Sequence, residues 1–126
     1  MARGEPHVKC MVVPGELIYV FIPVVDYESA VAVGYYRPDS VDASGFIHAS
    51  PAEQLTRVAN KYYADRKDVR LLCVDPRRVK AEIRWEPATG GLYPHIYGPL
   101  NLDAVVRIRR VQADSDGRIR IDPREL

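Results

Sequence analysis

Few residues in this sequence could build a metal centre or a disulfide framework. The chain has two cysteines among 126 residues, and neither belongs to a CxxC motif or to a Cys/His spacing typical of a zinc site. Cys73 lies in the apolar run VRLLCVD, where a thiol usually behaves as a small buried side chain. Cys10 lies in the irregular N-terminal segment. We therefore expect neither a bound metal nor a disulfide.

Long apolar runs are also missing. No segment approaches the roughly 20 apolar residues that a membrane-spanning helix needs. Near the N-terminus, Pro14, Gly15 and Glu16 interrupt the apolar residues, so the hydrophobic region of a secretory signal is not formed. These absences predict a cytoplasmic protein that does not contact a membrane.

The sequence has almost no excess charge of either sign. Its 18 basic and 17 acidic residues leave a net charge of +1, which gives no general field for nucleic acid. Arginines recur in VRIRRV and RIRI, but acidic residues offset them and a solvated surface is the favoured interpretation. These acidic residues are Asp103, Asp114, Asp116, Asp122 and Glu125. We expect no nucleic-acid partner, and the Ser-His-Asp, P-loop and GxGxxG signatures are absent.

The order of predicted elements indicates an α+β fold. Strands are expected in LIYVFIP, VRLLCVD, AEIRWE and AVVRIRRV, and helices in DYESAVAVG and SPAEQLTRVANKYYADRKD. Asp26 is the expected cap of the first helix and Gly34 its stop, and YYRPDSVDAS is expected to be a loop. This order favours a small, split, mostly antiparallel sheet with two main helices. Residues 1–16 are expected to form an irregular leader, and residues 112–126 a hairpin or tail around DSDG.

The segment GFIHAS runs from a predicted short strand into the second predicted helix. Ser50 as N-cap, Pro51 at the first position and Glu53 at the third match a capping box. In a strand, His48 and Ser50 would point to one side, close to a helix N-terminus that favours an anion. The alternative is that Ser50 only caps the helix and His48 only bonds a neighbouring loop.

A second polar segment, IRWEP, places Arg84 and Glu86 on one face of a strand, with Trp85 on the opposite, core-facing side. The guanidinium can hold a carboxylate or phosphate, and the carboxylate can accept a ribose hydroxyl or act as a base. The alternative is a solvated strand face with an ion pair that contributes little.

The segment GGLYPHIYGPL combines two tyrosines, a histidine, two prolines and three glycines. In an extended chain, His95 and Tyr97 lie on the same side, and the Gly98–Pro99 pair forces a turn after them. An imidazole and a phenol on a fixed backbone suit stacking against a planar ligand or hydrogen bonding to it. An ordinary turn with an aromatic plug is the competing interpretation.

Together these segments resemble the bacterial domain-of-unknown-function family 952. LIYVFIP, GFIHAS followed by AEQ, RWEP, and LYPHIYGPL leading into LDAVV occur in that family's order and near its spacing. The resemblance covers residues 17–111, and implies one domain of that extent. It also implies a compact fold similar to the ADP-ribosyltransferases, which hold NAD in a cleft.

The resemblance implies roles for individual residues. GFIHAS is similar in placement to the middle-strand serine element of those transferases, and Glu86 is a candidate for their acidic role. At the first-strand position where relatives often carry lysine or histidine, this chain has Val20. The side chain that usually binds the dinucleotide from this strand is therefore absent. Fold alone does not give activity.

Two functions are therefore expected as alternatives. The first is a nucleotide- or NAD-related transferase or hydrolase, with His48, Glu86 and His95 as catalytic residues and Ser50, Arg84, Tyr97 and Gly98 as ligand-binding residues. The second is a non-catalytic module that keeps the fold and binds a small anionic metabolite or a protein partner.

Overall fold

A computed structural model describes residues 16–64, 66–122 and 126. Its helices are α1 (Val24–Val33), α2 (Ser40–Ser44) and α3 (Leu55–Tyr62). Its strands are β1 (Ile18–Pro23), β2 (Tyr35–Tyr36), β3 (Val69–Val74), β4 (Glu82–Ala88), β5 (Gly91–Tyr97), β6 (Leu100–Asn101) and β7 (Val105–Arg110). Short 3₁₀ turns cover Ala52–Gln54, Pro76–Arg78 and Leu102–Ala104. The mixed α+β class is confirmed, with several antiparallel sheets and few helices.

The largest sheet has the strand order β1-β3-β7 and is antiparallel throughout. Its central strand β3 is buried almost completely, as the apolar runs LIYVFIP and VRLLCVD predict for neighbouring inner strands. Alternate side chains of β1 enter two different cores: Val20 packs in the first core and Phe21 in the second core. The sheet thus separates two apolar clusters, and only the second one borders α3.

The β4–β5 hairpin supplies most of the polar side chains considered below. Its register pairs Arg84 with His95 and Glu86 with Tyr93, and directly opposite residues of an antiparallel pair share a face. Ile83 and Trp85 pack against the first core from the other face. The alternation predicted for AEIRWE, and the shared side of His95 and Tyr97, are confirmed.

Three local predictions are wrong. The stretch YYRPDSVDAS contains β2 and α2, because β2 pairs with β6 more than sixty residues further along the chain. GFIHAS forms no strand of a named sheet and makes only isolated bridges, Ile47 with Ile96 and Ser50 with Tyr19. Helix α1 begins at Val24 after Pro23, so Asp26 lies within its first turn and does not cap it. Gly34, at φ +92°, does end that helix as predicted.

The predicted capping box at Ser50 is also wrong. Both backbone hydrogen bonds of Ser50 go to Tyr19, with Tyr19 N–H donating over 2.9 Å and Ser50 N–H over 2.8 Å. Pro51 remains extended at ψ 163°, so the first turn begins only at Ala52 and has no side-chain cap. The bridge to β1 therefore holds Ser50 outside the helix that it was expected to start.

The C-terminal residues make a turn against α3. Gly117 N–H donates to the Asp114 carbonyl over 2.9 Å, and Ala113 bridges Ile119. The predicted hairpin is limited to this one bridge among the residues described there. Residues 1–15 of the leader predicted over 1–16, which include Cys10, lie outside the described residues, as does Glu125. Within the described part of the chain, no helix is long and apolar enough to cross a membrane.

Candidate functional site

A pocket of about 310 Å³ lies where the 46–50 segment, α3 and the β4–β5 hairpin meet. Its volume is at the lower end of the range typical of small-molecule sites. Its lining combines basic and aromatic side chains with a few small residues. The lining residues are Phe21, His48, Ala49, Ser50, Arg57, Val58, Lys61, Tyr62, Tyr63, Ala88, Thr89, Tyr93 and His95.

The 46–50 segment is fixed between two sheets. Ile47 exchanges both backbone hydrogen bonds with Ile96, at 2.7 and 3.1 Å, and Ser50 exchanges both with Tyr19. Ile47 and Ala49 are buried in the first core. His48, between them, must therefore point away from that core, and it does so toward the pocket although no regular strand forms.

The pocket brings two imidazoles together. The ring centroids of His48 and His95 are 5.7 Å apart and the rings meet edge to face. Phe46 stacks on His95 with centroids 4.0 Å apart and planes 14° apart, and it meets the edge of His48 at 4.9 Å. This packing restricts the orientation of both histidine rings.

Glu86 orients His95 from the neighbouring strand. Glu86 Oε1 lies 2.8 Å from His95 Nδ1 and accepts the Tyr97 hydroxyl over 2.7 Å. The hydrogen bond from Tyr97, followed by that from His95, lowers the pKa of Glu86 below its ordinary value, so the carboxylate is ionised at neutral pH. An ionised carboxylate accepts a hydrogen bond from Nδ1–H, so the Glu86 contact engages that nitrogen and leaves Nε2 of His95 available to a ligand.

His48 is in a different electrostatic environment. Its side chain is solvent-accessible at the rim of the pocket, and the protein around it still lowers its pKa, with desolvation as the first cause and the neighbouring His95 as the second. No hydrogen bond joins it to another described residue. His48 is consequently neutral at pH 7 when the pocket is empty, and both ring nitrogens are available to a ligand.

Two cations of α3 face the pocket one helical turn apart. Arg57 Nε donates to Gln54 Oε1 over 3.1 Å, and Arg57 Nη2 donates to the Thr89 carbonyl and the Tyr93 hydroxyl. Lys61 Nζ lies 5.2 Å from the centroid of the Tyr62 ring. Neither cation forms an ion pair with a carboxylate among the described residues, and no acidic side chain is part of the pocket lining given above. Within the described part of the chain, the positive charge of the pocket lining therefore has no acidic partner.

The turn between β4 and β5 packs closely against Arg57 of α3 and Gln54, which precedes that helix. Gln54 Nε2 donates to the Gly90 carbonyl over 2.7 Å. Gly90 has φ +97°, and a Cβ built there would lie 2.6 Å from Arg57 Nη2. Glycine at this position permits both the left-handed backbone and the close approach of Arg57.

The residues proposed from the sequence fall into two groups. His48, Ser50 and His95 line the pocket, and Glu86 contacts His95 from outside the lining. Arg84, Tyr97 and Gly98 do not line it. Arg84 Nη2 donates to Glu82 over 3.1 Å, and its guanidinium carbon lies 4.2 Å from the Tyr97 ring centroid. Gly98 packs against Ala81, where a Cβ would come within 3.1 Å.

Sequence reasoning missed Arg57, Lys61 and Tyr93. Arg57 and Lys61 are four residues apart on a helix, a spacing that places two cations on one face. That signal was present in LTRVANKY, but nothing in the local sequence indicates which element this face meets. Among the residues that the structure describes, no group of three or more His, Cys, Asp or Glu side chains could hold a metal ion.

Comparison with known proteins places the chain in a family. No curated protein matches it. Two structures of protein CC0527 from Caulobacter crescentus are similar to it. The X-ray structure has 31% sequence identity and a TM-score of 0.75, with 82% of this chain and 93% of that chain covered. The solution NMR structure has 34% identity and a TM-score of 0.70, covering 81% and 90%. Residues 21–108 match the family described as "Protein of unknown function (DUF952)", and this chain belongs to that family.

Proposed function

We propose that the pocket binds a small nucleotide-like anion and that the protein is a transferase or hydrolase acting on it. The observation that carries this proposal is the set of four nitrogen-bearing side chains, His48, Arg57, Lys61 and His95, around a cavity whose lining has no carboxylate. Uncompensated cations in a concave site favour a phosphate or carboxylate.

The aromatic side chains of the pocket supply a surface on which the base of a nucleotide can stack. Tyr62 lies at the rim with 61% of its surface exposed, although aromatic rings are usually more buried. A nucleobase or nicotinamide ring can stack on such a face while its phosphate reaches Lys61 and Arg57. The cavity volume suits a mononucleotide, or one half of a dinucleotide such as NAD.

The proposal includes an ADP-ribosyltransferase-like fold, with one clear difference in how a dinucleotide is held. Val20, at the first-strand position where related enzymes often carry a cation, is 1% exposed and packs in the first core. The pocket adjoins the second core. In this protein, the cations of α3 would have to bind the dinucleotide in place of a cation on the first strand.

Isothermal titration calorimetry with AMP, ADP-ribose, NAD and inorganic phosphate tests this proposal. We expect saturable binding of at least one nucleotide, weakened about 10- to 150-fold in Lys61→Ala, because one charge-assisted contact is worth about 1.5–3 kcal/mol. Lys80→Ala is the matched control, since Lys80 is an exposed lysine that does not line the pocket. Absence of binding by every ligand at millimolar concentration would refute the proposal.

A non-catalytic binding module is the second candidate, and the burial of Val20 favours it. A protein that has lost the first-strand cation could retain the pocket for recognition alone. Incubation with radiolabelled NAD and a cell lysate separates the two. Label transfer or NAD turnover indicates the enzyme, whereas saturable binding without turnover indicates the module.

A further inference from the structure

We infer that His48 and His95 form a general base and general acid pair that hydrolyses a nucleoside phosphodiester bound in the pocket. The inference rests on the proposed function, because the same cations would hold the phosphoryl group. Water attacks the cyclic phosphodiester, one bond between phosphorus and a ribose oxygen breaks, and the phosphomonoester and the freed hydroxyl remain on the same nucleotide. The substrate class is a small cyclic nucleotide, which fits a cavity of about 310 Å³.

The geometry supplies one proton-transfer group to each of two substrate oxygens. The rings of His48 and His95 meet edge to face with centroids 5.7 Å apart, on two chain segments that the Ile47–Ile96 bridge holds together. His48 makes no hydrogen bond to a described residue, and His95 uses only Nδ1 for one. Nitrogens on both rings thus remain available to one tetrahedral phosphoryl group.

The surroundings of the two imidazoles differ in the way an acid and a base require. His95 bonds the Glu86 carboxylate through Nδ1 over 2.8 Å, which orients its ring. Burial, followed by the neighbouring His95, lowers the pKa of His48, and no carboxylate of a described residue bonds to it, so its neutral form is favoured. Other titratable or charged groups around the pair are Tyr93 and Tyr97 from the hairpin and Arg57, Lys61, Tyr62 and Tyr63 from α3 and the residue after it.

The proton balance follows from this assignment. Neutral His48 accepts a proton from water while the water oxygen bonds to phosphorus. The bond between phosphorus and the leaving ribose oxygen breaks, and protonated His95 donates its Nε2 proton to that oxygen. Arg57 and Lys61 stabilise the charge on the non-bridging phosphoryl oxygens. Exchange with solvent then returns the proton from His48 to His95.

Hydrolysis of adenosine 2′,3′-cyclic phosphate and adenosine 3′,5′-cyclic phosphate, followed by chromatography of the AMP formed, tests the inference. We expect turnover of at least one of them and a bell-shaped pH dependence of kcat/KM. His48→Ala and His95→Ala should each lower kcat about 10²–10⁴-fold. Lys80→Ala should leave kcat unchanged, since Lys80 does not line the pocket. If either alanine variant unfolds, as judged by circular dichroism, His48→Gln and His95→Asn replace it.

Glu86 is a positioning residue in this scheme, and its role has a separate readout. Glu86→Gln should lower kcat with little change in KM, because the amide orients His95 less firmly for proton transfer while Arg57 and Lys61 still bind the phosphoryl group. An unchanged kcat in Glu86→Gln, or full activity in either histidine variant, would overturn the inference. AMP binding without turnover of either cyclic nucleotide would overturn it too, while leaving the binding proposal intact. Loss of both binding and turnover would overturn both.

Discussion

His95 and Glu86 are joined across the β4–β5 hairpin by a 2.8 Å contact between Nδ1 and Oε1. They are not directly opposite in the register, since Glu86 faces Tyr93 and His95 faces Arg84. The contact is a diagonal one, within reach of long side chains on one face of a hairpin. It links a polar strand face that also carries Tyr97 to the pocket that His95 lines.

The Glu86 contacts predict a pH dependence of stability. The hydrogen bonds from Tyr97 and His95 hold the pKa of Glu86 below its ordinary value of 4.5. A carboxyl group with a depressed pKa in the folded state stabilises the fold above its unfolded pKa, and that stability is lost as the pH falls through the folded pKa. We expect the free energy of unfolding to fall more steeply below pH 4.5 in the wild type than in Glu86→Gln. Urea denaturation at a series of pH values measures this, and equal slopes would contradict it.

Gly90→Ala should destabilise the protein for two reasons: the backbone conformation of Gly90 disfavours alanine, and the added Cβ would be too close to Arg57. The residue has φ +97°, and its Cβ would meet Arg57 Nη2 at 2.6 Å. We expect a loss of about 1–3 kcal/mol in the free energy of unfolding, together with weaker nucleotide binding. Gly117→Ala is the matched control, because Gly117 has φ +84° and nothing within 4 Å of its Cβ position. Equal losses in the two variants would show that the Arg57 contact contributes nothing.

Asn60→Ala should release the C-terminal segment from α3. Asn60 Nδ2 donates to the Ile119 carbonyl over 2.6 Å, and its Oδ1 accepts from Ile119 N–H over 2.9 Å. Removing both bonds leaves the buried N–H and carbonyl groups of Ile119 without a partner. The free energy of unfolding should fall by about 1–3 kcal/mol. Hydrogen exchange measured by NMR should show faster exchange at Ile119, with the central strand β3 unchanged at its Leu72 amide. Unchanged protection of Ile119 would contradict the prediction.

Sulfate affinity should increase as the pH falls from 8 to 6, a range over which the sulfate dianion itself does not titrate. Burial and His95 lower the pKa of His48, so the empty pocket holds a neutral ring, and a bound oxyanion would favour its protonated form. Calorimetry with sulfate in buffers of different ionisation enthalpy should show proton uptake on binding. His48→Ala should reduce that uptake, and identical uptake in the variant would exclude His48 as its source.

The sequence predicted side-chain direction better than it predicted regular structure. The alternation in AEIRWE and in LYPHIY was assigned correctly because one face of the hairpin is buried, which makes a period of two visible in the residues themselves. His48 was also placed on the correct side, although GFIHAS forms only bridges, because Ile47 and Ala49 are core residues.

The errors have tertiary causes. Ser50 and its neighbours match a capping box, but the backbone of Ser50 forms the bridge to Tyr19. Because Tyr19 is distant in sequence, no local pattern indicates that this bridge forms in place of the cap. Arg57 reaches Thr89 and Tyr93 across more than thirty residues of sequence. Its place in the pocket follows from which face of α3 meets the hairpin turn, and that depends on packing.

The most direct test of the account is an NMR titration of the imidazole C–H resonances of His48 and His95 with AMP, assigned with the two single alanine variants. If the pocket is an anion site, both resonances should shift together along one saturable curve that weakens in Lys61→Ala and stays unchanged in Lys80→Ala. Resonances that remain still at millimolar AMP, or that shift equally in both lysine variants, would contradict a binding site between α3 and the β4–β5 hairpin.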